Sequence, residues 1–118
     1  MVDVLVVDDD DGVRTTVAEI LRRARHSVAV AEDGRAALDR LQELRVGVLV
    51  MDVRMPRLDG VGLLRALEEP PPAVVMSAYR VDDDLRRSLG SSVAAYLRKP
   101  FRPEHLLAAV AGALGAGA

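Results

Sequence analysis

The chain has 118 residues, of which half are hydrophobic and only three are aromatic, and its formal net charge at pH 7 is −2. This length suits one compact domain, and the weak charge, without a cluster of alternating basic and aromatic residues, argues against direct binding to nucleic acid or to an anionic membrane. The lack of cysteine excludes disulfides, thiolate catalysis and zinc–thiolate sites, and no apolar run is long enough for a signal peptide or a membrane span. We therefore expect a single cytoplasmic domain over residues 1–118.

Short apolar runs rich in β-branched residues alternate along the chain with longer segments of helical period. Such alternation is typical of a parallel sheet covered by helices on both faces. The predicted strands are residues 3–7, 27–31, 46–51, 73–77 and 94–98. The pattern therefore predicts an α/β fold with a five-stranded parallel sheet and five helices.

Apolar stripes, acids and prolines predict where the helices lie. In the first two helices the stripes consist of Val13, Val17, Ile20, Leu21 and Ala24, and of Ala37, Leu38, Leu41 and Leu44. The third helix is expected to begin near Asp59 and to end before the prolines at 70–72, and the fourth to open at residues 81–82. Pro103 suits the first turn of the fifth helix, and the closing residues 115–118 have the composition of a linker.

Carboxylates directly follow two of the predicted strands. Asp8 and Asp9 come after the first strand, and Asp52 closes the apolar run of the third. Functional groups in an open parallel sheet gather at the carboxyl ends of the strands, so these side chains converge if the two strands are neighbours. Their repulsion calls for a hard cation, and Mg²⁺, with Mn²⁺ as an alternative, suits one or two carboxylates plus phosphate oxygens better than a calcium cage would.

The acidic run also has a plainer interpretation as a solvated turn that caps the first helix. For Asp10 and Asp11 that interpretation is favoured. It is weaker for Asp8 and Asp9, which follow an apolar strand. It is weakest for Asp52, because an unpaired carboxylate after a hydrophobic run is costly to desolvate without a metal, a hydrogen-bond partner or a chemical role.

A lone lysine and a serine also lie at predicted strand ends. Lys99 is the only lysine among 16 basic residues. A compact ammonium suits contact with one oxygen. Taken alone, however, a single lysine is explained equally well as a chance occurrence on a surface turn. The bond to Pro100 can be cis, which would turn the lysine inward. The hydroxyl of Ser77 can donate to a phosphoryl oxygen or satisfy the backbone of the next helix.

Together these groups meet the needs of phosphoryl transfer, which depends on an in-line nucleophile and on positive groups near the transferred oxygens. We assign Asp52 as the nucleophile that gives an aspartyl phosphate. The supporting groups are Asp8 and Asp9 as metal ligands, the main-chain carbonyl of Arg54 as a further ligand, and Lys99 with Ser77 as partners of the phosphoryl oxygens.

Four motifs, in this order and spacing, resemble the receiver domain of response regulators in two-component signalling. They are VLVVDD at residues 4–9, VLVMDVRMPRLDG at 48–60, VMSAY at 75–79 and YLRKPF at 96–101. The resemblance covers essentially the whole chain and implies a doubly wound, flavodoxin-like fold with strand order 2-1-3-4-5. It implies phosphorylation of Asp52, a metal on Asp8, Asp9 and the Arg54 carbonyl, Lys99 as the phosphate-contacting ammonium, Ser77 as the switch hydroxyl and Tyr96 as a rotating aromatic.

The resemblance also implies a signalling switch whose only chemistry is its own phosphorylation and dephosphorylation. Its partners would be a sensor histidine kinase or phosphotransfer protein and a downstream output protein or C-terminal domain. The output partner would bind the surface of the fourth helix, fifth strand and fifth helix. A homodimer on phosphorylation is left open.

Two features are less clear from the family pattern. Without the family, Tyr96 is interpreted as a strand aromatic with a surface hydroxyl. Ser92 and Val93 stand where the family commonly has a Gly-Ala pair, which predicts a different end to the fourth helix.

Two rival interpretations stay open at this point. Asp8 and Asp10 also form a D-x-D pattern after a first strand, as in small phosphatases of the haloacid-dehalogenase type, although no further acidic pair follows Lys99 and a substrate-covering cap has no room. The second rival is a receiver-like module that works without phosphorylation. A nucleotide-binding fold is less favoured, since neither G-x-G-x-x-G nor G-x-x-x-x-G-K-[ST] occurs.

Overall fold

Five strands and five helices alternate along residues 1–116, the part of the chain that this computed structural model describes. The strands are β1 (Val2–Val7), β2 (Val28–Ala31), β3 (Val46–Asp52), β4 (Ala73–Ser77) and β5 (Val93–Arg98). The helices are α1 (Asp11–Arg23), α2 (Gly34–Glu43), α3 (Gly60–Arg65), α4 (Asp83–Leu89) and α5 (Pro103–Ala116). Within this part of the chain, none of the helices has both the length and the apolar character needed to cross a bilayer.

All five strands pair in parallel in the order β2-β1-β3-β4-β5, which confirms the predicted fold and strand order. At the last residue of β1, Val7 lies between Ala31 of β2 and Met51 of β3. Asp52 pairs with Met76 of β4. The carboxyl ends of β1, β3 and β4 therefore lie side by side, and the chain reverses its winding direction between β1 and β3, where ligand crevices form in such sheets.

Side chains of the central strands alternate between two aliphatic cores, one on each face of the sheet. One core packs against α2, α3 and α4 and includes Leu5, Val7, Leu49, Met51 and Val75. The other packs against α1 and α5 and includes Val4, Val6, Val48, Val50 and Val74. Burial on both faces explains why these strands read as continuous apolar runs, and it holds their polar carboxyl-end residues in fixed places.

Aspartates cap the amino ends of four helices. Each accepts a hydrogen bond from a backbone N–H in the first turn, and the four are Asp10, Asp33, Asp59 and Asp82. The cap interpretation is thus confirmed for Asp10, while Asp11 lies in the first turn of α1, where a carboxylate complements the helix dipole.

Three details differ from the sequence-based expectation or refine it. Helix α3 ends at Arg65, well short of the prolines at 70–72. Helix α4 ends at Leu89, and Gly90 follows it with φ of 87°, a conformation that glycine adopts without a Cβ clash. The linker prediction is wrong for residues 115 and 116, which continue α5, because small residues such as alanine do not by themselves end a helix; residues 117 and 118 of that prediction lie outside the described residues.

Candidate functional site

Three carboxylates meet at the carboxyl ends of β1 and β3. Asp8, Asp9 and Asp52 each offer one carboxylate oxygen, and these oxygens lie within 4.8 Å of one another. The Asp8 side chain is fully buried, the Asp52 side chain is 15% exposed and Asp9 faces solvent. The structure therefore brings together the three acids that the sequence pointed to, with one side of the cluster open.

Lys99 reaches this cluster from the end of β5. Its Nζ lies 2.8 Å from Oδ2 of Asp8 and 2.7 Å from Oδ2 of Asp52. Its backbone N–H donates to the carbonyl of Ser77 at 2.7 Å, and the peptide bond to Pro100 is cis. One ammonium thus joins the ends of β1 and β3 and partly offsets the charge of both carboxylates.

Burial and ion pairing shift two pKa values at the site. Loss of water raises the pKa of Asp8 above its ordinary value, although hydrogen bonds from Lys99 and from the Asp10 N–H act to lower it. Burial alone would lower the pKa of Lys99, but its hydrogen bonds to Asp52 and Asp8 outweigh this effect, so the pKa is raised. Lys99 therefore carries its charge at neutral pH.

The turn after β1 is fixed by contacts to Asp8. The Asp10 N–H donates to Oδ1 of Asp8 at 2.9 Å, and Nη1 of Arg14 donates to the Asp8 carbonyl at 2.8 Å. Arg14 also forms an ion pair with Asp11. Arg14 was not among the residues predicted from the sequence. Its place one helical turn after the cap residue Asp10 was the available signal, since that position faces back toward the turn.

The loop between β3 and α3 follows Asp52 directly. The backbone N–H of Arg54 donates to Oδ1 of Asp52 at 3.2 Å, and the Gly60 N–H donates to the Val53 carbonyl at 2.8 Å. A Cβ at Gly60 would lie 3.1 Å from the Asp52 carbonyl oxygen, so this glycine permits a close approach of α3 to the strand end. The Arg54 guanidinium stacks 4.6 Å from the centre of the Tyr79 ring.

Ser77 lies at the end of β4, but its hydroxyl forms no hydrogen bond with the carboxylates. Its Oγ donates to the Tyr79 carbonyl at 2.6 Å and accepts from the Tyr79 N–H at 3.1 Å. In this conformation the hydroxyl orders the loop between β4 and α4. The predicted backbone partner was the next helix, whereas the observed partner is Tyr79, in the loop before α4.

Tyr96 is half-buried on β5 and packs against the core shared with α2, α3 and α4. The guanidinium of Arg86, on α4, lies 4.2 Å from the centre of its ring. A surface cavity of about 670 Å³ is lined by Ser77, Arg86 and Tyr96 together with the loop at Tyr79. The serine and the tyrosine thus border the same space.

The cluster has the charge and the donor atoms that suit a hard divalent cation. Three carboxylates against one ammonium leave a formal charge of −2. All acidic donors are oxygens, and Asp9 faces solvent, which leaves room for the water ligands that Mg²⁺ retains. The residues present therefore fit Mg²⁺.

A doubly wound sheet with an acidic cluster and a lysine at the point of strand reversal defines a class of α/β proteins with flavodoxin-like topology. Within that class, the family model described as the response regulator receiver domain matches residues 4–111, and the chain belongs to this family. It is a receiver domain of two-component signal transduction.

Curated relatives and solved structures agree with this assignment. The response regulator MprA of Mycolicibacterium vanbaalenii is 40% identical over 108 residues, which are 89% of this chain and 47% of that protein. The transcriptional regulatory protein PrrA of Mycobacterium tuberculosis is 41% identical over 110 residues, which are 91% of this chain and 47% of that protein. The chain thus spans about half the length of the curated relatives it matches.

Among solved structures, the receiver domain of the Francisella response regulator 1452 superposes with a TM-score of 0.88 at 29% identity and full coverage of both chains. The chemotaxis response regulator CheY4 of Vibrio cholerae superposes with a TM-score of 0.83 at 30% identity, covering 96% of this chain and 98% of that one. The likeness extends over the whole sheet and its helices.

Proposed function

We propose that this receiver domain is a phosphorylation switch in which Asp52 accepts a phosphoryl group from a phosphohistidine of a sensor histidine kinase or phosphotransfer protein. Residues 1–118 act as one receiver domain, and its own chemistry is limited to gaining and losing this group. The observation that carries the proposal is the meeting of Asp8, Asp9, Asp52 and Lys99 at the carboxyl edge of a receiver fold.

Exposure favours Asp52 over Asp8 as the nucleophile, since both carboxylates accept two hydrogen bonds. Asp8 is fully buried, and its two oxygens bond to the Asp10 N–H and to Lys99. Asp52 keeps 15% of its side chain exposed. In the transfer, an Asp52 oxygen forms a bond to phosphorus while the phosphorus–nitrogen bond of the donor breaks, and the imidazole leaves with that electron pair and takes up a proton.

The carboxylates of Asp8, Asp9 and Asp52, with the main-chain carbonyl of Arg54, would hold Mg²⁺, or Mn²⁺ in its place. When bound, the ion supplies positive charge next to the phosphoryl oxygens. Lys99 contributes the second positive charge, since its Nζ lies 2.7 Å from the carboxylate that forms the new bond. As that carboxylate becomes an acyl phosphate, the ammonium transfers its hydrogen bond to a phosphoryl oxygen.

The switch begins at Ser77. To donate to a phosphoryl oxygen, its hydroxyl must leave the Tyr79 carbonyl, and the loop between β4 and α4 must then rearrange. That loop borders the cavity that also touches Tyr96, so its movement changes the room available to the ring. Phosphorylation thereby alters the surface formed by α4, β5 and α5, where an output protein or a C-terminal output domain binds.

The description of a relative supports an output domain as the partner. PrrA is described as a transcriptional regulatory protein, and the match covers 47% of it. A regulator in which this chain controls a further domain is therefore our proposal for the complete system. Size-exclusion chromatography with light scattering, with and without phosphorylation, tests whether a homodimer accompanies the change.

Phosphorylation by a small donor tests the proposal directly. We expect wild-type protein incubated with phosphoramidate and MgCl₂ to gain one phosphoryl group by intact mass spectrometry, and to gain none with EDTA. Asp52→Asn should remain unlabelled, while Asp39→Asn, which removes an exposed carboxylate on α2, should label like the wild type.

The rivals predict other outcomes of the same experiment. Label retained on Asp52→Asn would favour Asp8 as nucleophile, as in the phosphatase interpretation. The burial of Asp8 and the family match are evidence against that interpretation. Wild-type protein without label would favour a receiver that works unphosphorylated.

A further inference from the structure

Asp33 is a buried carboxylate that the proposed switch does not use. Its side chain is only 3% exposed. Its Oδ1 accepts from the Ala36 N–H at 2.8 Å and so caps α2, while its Oδ2 lies 3.2 Å from Nε of Arg57. One oxygen thus starts a helix, and the other reaches across to the loop between β3 and α3.

Arg57 occupies an unfavourable backbone conformation in that loop. Its φ is 65°, in the left-handed region where a Cβ is disfavoured. The Leu58 N–H donates to the Pro56 carbonyl at 2.8 Å, which closes a tight three-residue turn around Arg57. Such a turn persists when its surroundings hold it, and the Asp33 carboxylate is one such support.

A second contact joins the same two segments next to the ion pair. Gly34 is buried, and a Cβ placed on it would lie 1.9 Å from the carbonyl oxygen of Leu58. The backbone at the start of α2 therefore lies directly against the loop. We call the pairs Asp33–Arg57 and Gly34–Leu58 together the α2–loop clasp.

The clasp holds the outer part of the loop that carries the proposed metal ligand Arg54. The base of the loop is held by the hydrogen bond from the Gly60 N–H to the Val53 carbonyl. The Arg54 N–H is held by Oδ1 of Asp52. With its base fixed to β3 and its turn fixed to α2, the segment between these points has little freedom to move.

We infer that Asp33 and Arg57 are positioning residues for the divalent cation: their ion pair holds the β3–α3 loop, and with it the Arg54 carbonyl that we propose as a metal ligand. The inference rests on the proposed function, because it concerns the same metal site. Its physical basis is preorganisation, since a ligand that is already in place loses less conformational entropy when the cation binds.

Mg²⁺ affinity distinguishes this role from a purely structural one. Arg57 is 69% exposed, so solvent screens its charge, and the buried carboxylate of Asp33 keeps its hydrogen bond from the Ala36 N–H when Arg57 is replaced. We therefore choose Arg57→Gln, which removes the charge at the surface, and Arg57→Gly, which also relieves the left-handed strain. The matched control is Asp39→Asn, since Asp39 pairs with Arg35 on the exposed face of the same helix and has no ion pair with the loop.

The experiment is a titration of each protein, as residues 1–118, with MgCl₂, followed by backbone amide NMR shifts, together with a melting curve in EDTA. We expect both Arg57 variants to bind Mg²⁺ about threefold more weakly, and Asp39→Asn to bind like the wild type. Arg57→Gly should melt at or above the wild-type temperature while binding Mg²⁺ more weakly, a combination that a merely structural ion pair does not produce.

Unchanged Mg²⁺ affinity in both Arg57 variants would overturn the inference. Asp33→Asn should weaken binding in the same way; if it fails to fold, the Arg57 variants still decide. Phosphoramidate labelling separates this inference from the proposed function. If the wild-type protein binds Mg²⁺ but takes no label, only the proposed switch is contradicted. If the wild type is labelled and the Arg57 variants bind Mg²⁺ with unchanged affinity, only the positioning role is contradicted.

Discussion

Nζ of Lys99 lies 2.7 Å from Oδ2 of Asp52, the carboxylate that we propose as phosphoacceptor. The same ammonium lies 2.8 Å from Asp8, so it binds oxygens that a divalent cation would also use. A bound cation would therefore share these carboxylates with Lys99. The lysine thus joins the two carboxylates and lies beside the proposed phosphoacceptor.

Replacing Lys99 by Met should destabilise the metal-free protein. The change leaves the buried Asp8 carboxylate without its charged partner, and breaking a largely buried pair in this way costs about 3 kcal/mol. Mg²⁺ should recover part of the loss, because it offsets the same charges. Urea unfolding in EDTA and in MgCl₂ measures both effects.

The matched control for this change is Arg102→Met, which removes an exposed cation from a pair with Glu104. We expect its effect to stay within about 0.5 kcal/mol in either buffer. Equal destabilisation of Lys99→Met with and without Mg²⁺ would contradict the view that lysine and cation serve the same oxygens.

The raised pKa of Asp8 predicts how stability depends on pH. Burial is its main cause, and between the ordinary and the raised pKa the folded chain binds more protons than the unfolded chain, so stability falls as pH rises through this window. Asp8→Asn removes this titration. In EDTA, the free energy of unfolding of the variant minus that of the wild type should therefore be more positive at about pH 7 than near pH 4.

Lys99 does not disturb that comparison. Burial opposes its charge, but the hydrogen bonds to Asp52 and Asp8 raise its pKa, so it is charged throughout the range and its contribution would be lost only at alkaline pH. Differential scanning calorimetry of both proteins provides the measurement. An advantage of Asp8→Asn that grows toward acid pH would have the wrong sign.

Ser77→Ala should affect both stability and phosphorylation. It removes the two hydrogen bonds with the backbone of Tyr79, at a cost of about 1 kcal/mol. It also removes the proposed donor to the phosphoryl oxygen, so labelling with phosphoramidate should slow. Ser77→Thr keeps the hydroxyl and should restore most of the labelling rate; an Ala variant that labels as fast as wild type would exclude the switch role of this hydroxyl.

The fold was predictable from local sequence because each element carries its own signal. The apolar run before Asp52 marks a strand buried on both faces, and aspartates such as Asp10 mark the starts of helices. The strand order came from the family motifs, since periodicity alone does not say which strands are neighbours. The end of α3 was harder to place, because the prolines at 70–72 limit a helix without saying how far before them it stops.

The candidate site was predictable in its charges but not in its contacts. The position of Asp8, Asp9 and Asp52 at strand ends follows from the parallel sheet. The contact of Arg14 with the Asp8 carbonyl and the ion pair between Asp33 and Arg57 depend on how separate loops approach each other. The hydroxyl of Ser77 had two chemically reasonable partners, and residue type alone did not choose between them.

Tyr96 offers a direct optical test of the proposed switch. The chain has two tyrosines and no tryptophan, so Tyr79→Phe leaves Tyr96 as its main fluorophore. In this background we expect beryllofluoride with Mg²⁺, a mimic of the phosphoryl group, to change the tyrosine fluorescence. The change should be missing in the same background with Asp52→Asn, since the mimic then has no carboxylate to bind.

The Arg86 guanidinium, 4.2 Å from the Tyr96 ring centre, should oppose that change. A cation–π contact at an exposed site is worth about 0.5–1 kcal/mol, so Arg86→Met should shift the equilibrium of the ring about two- to fivefold. We expect the variant to show part of the fluorescence change before beryllofluoride is added. The control is Arg87→Met, because Arg87 pairs with Asp84 on the same helix and does not stack on the ring; equal effects of the two variants would mean that helix charge, not the stacked guanidinium, restrains Tyr96.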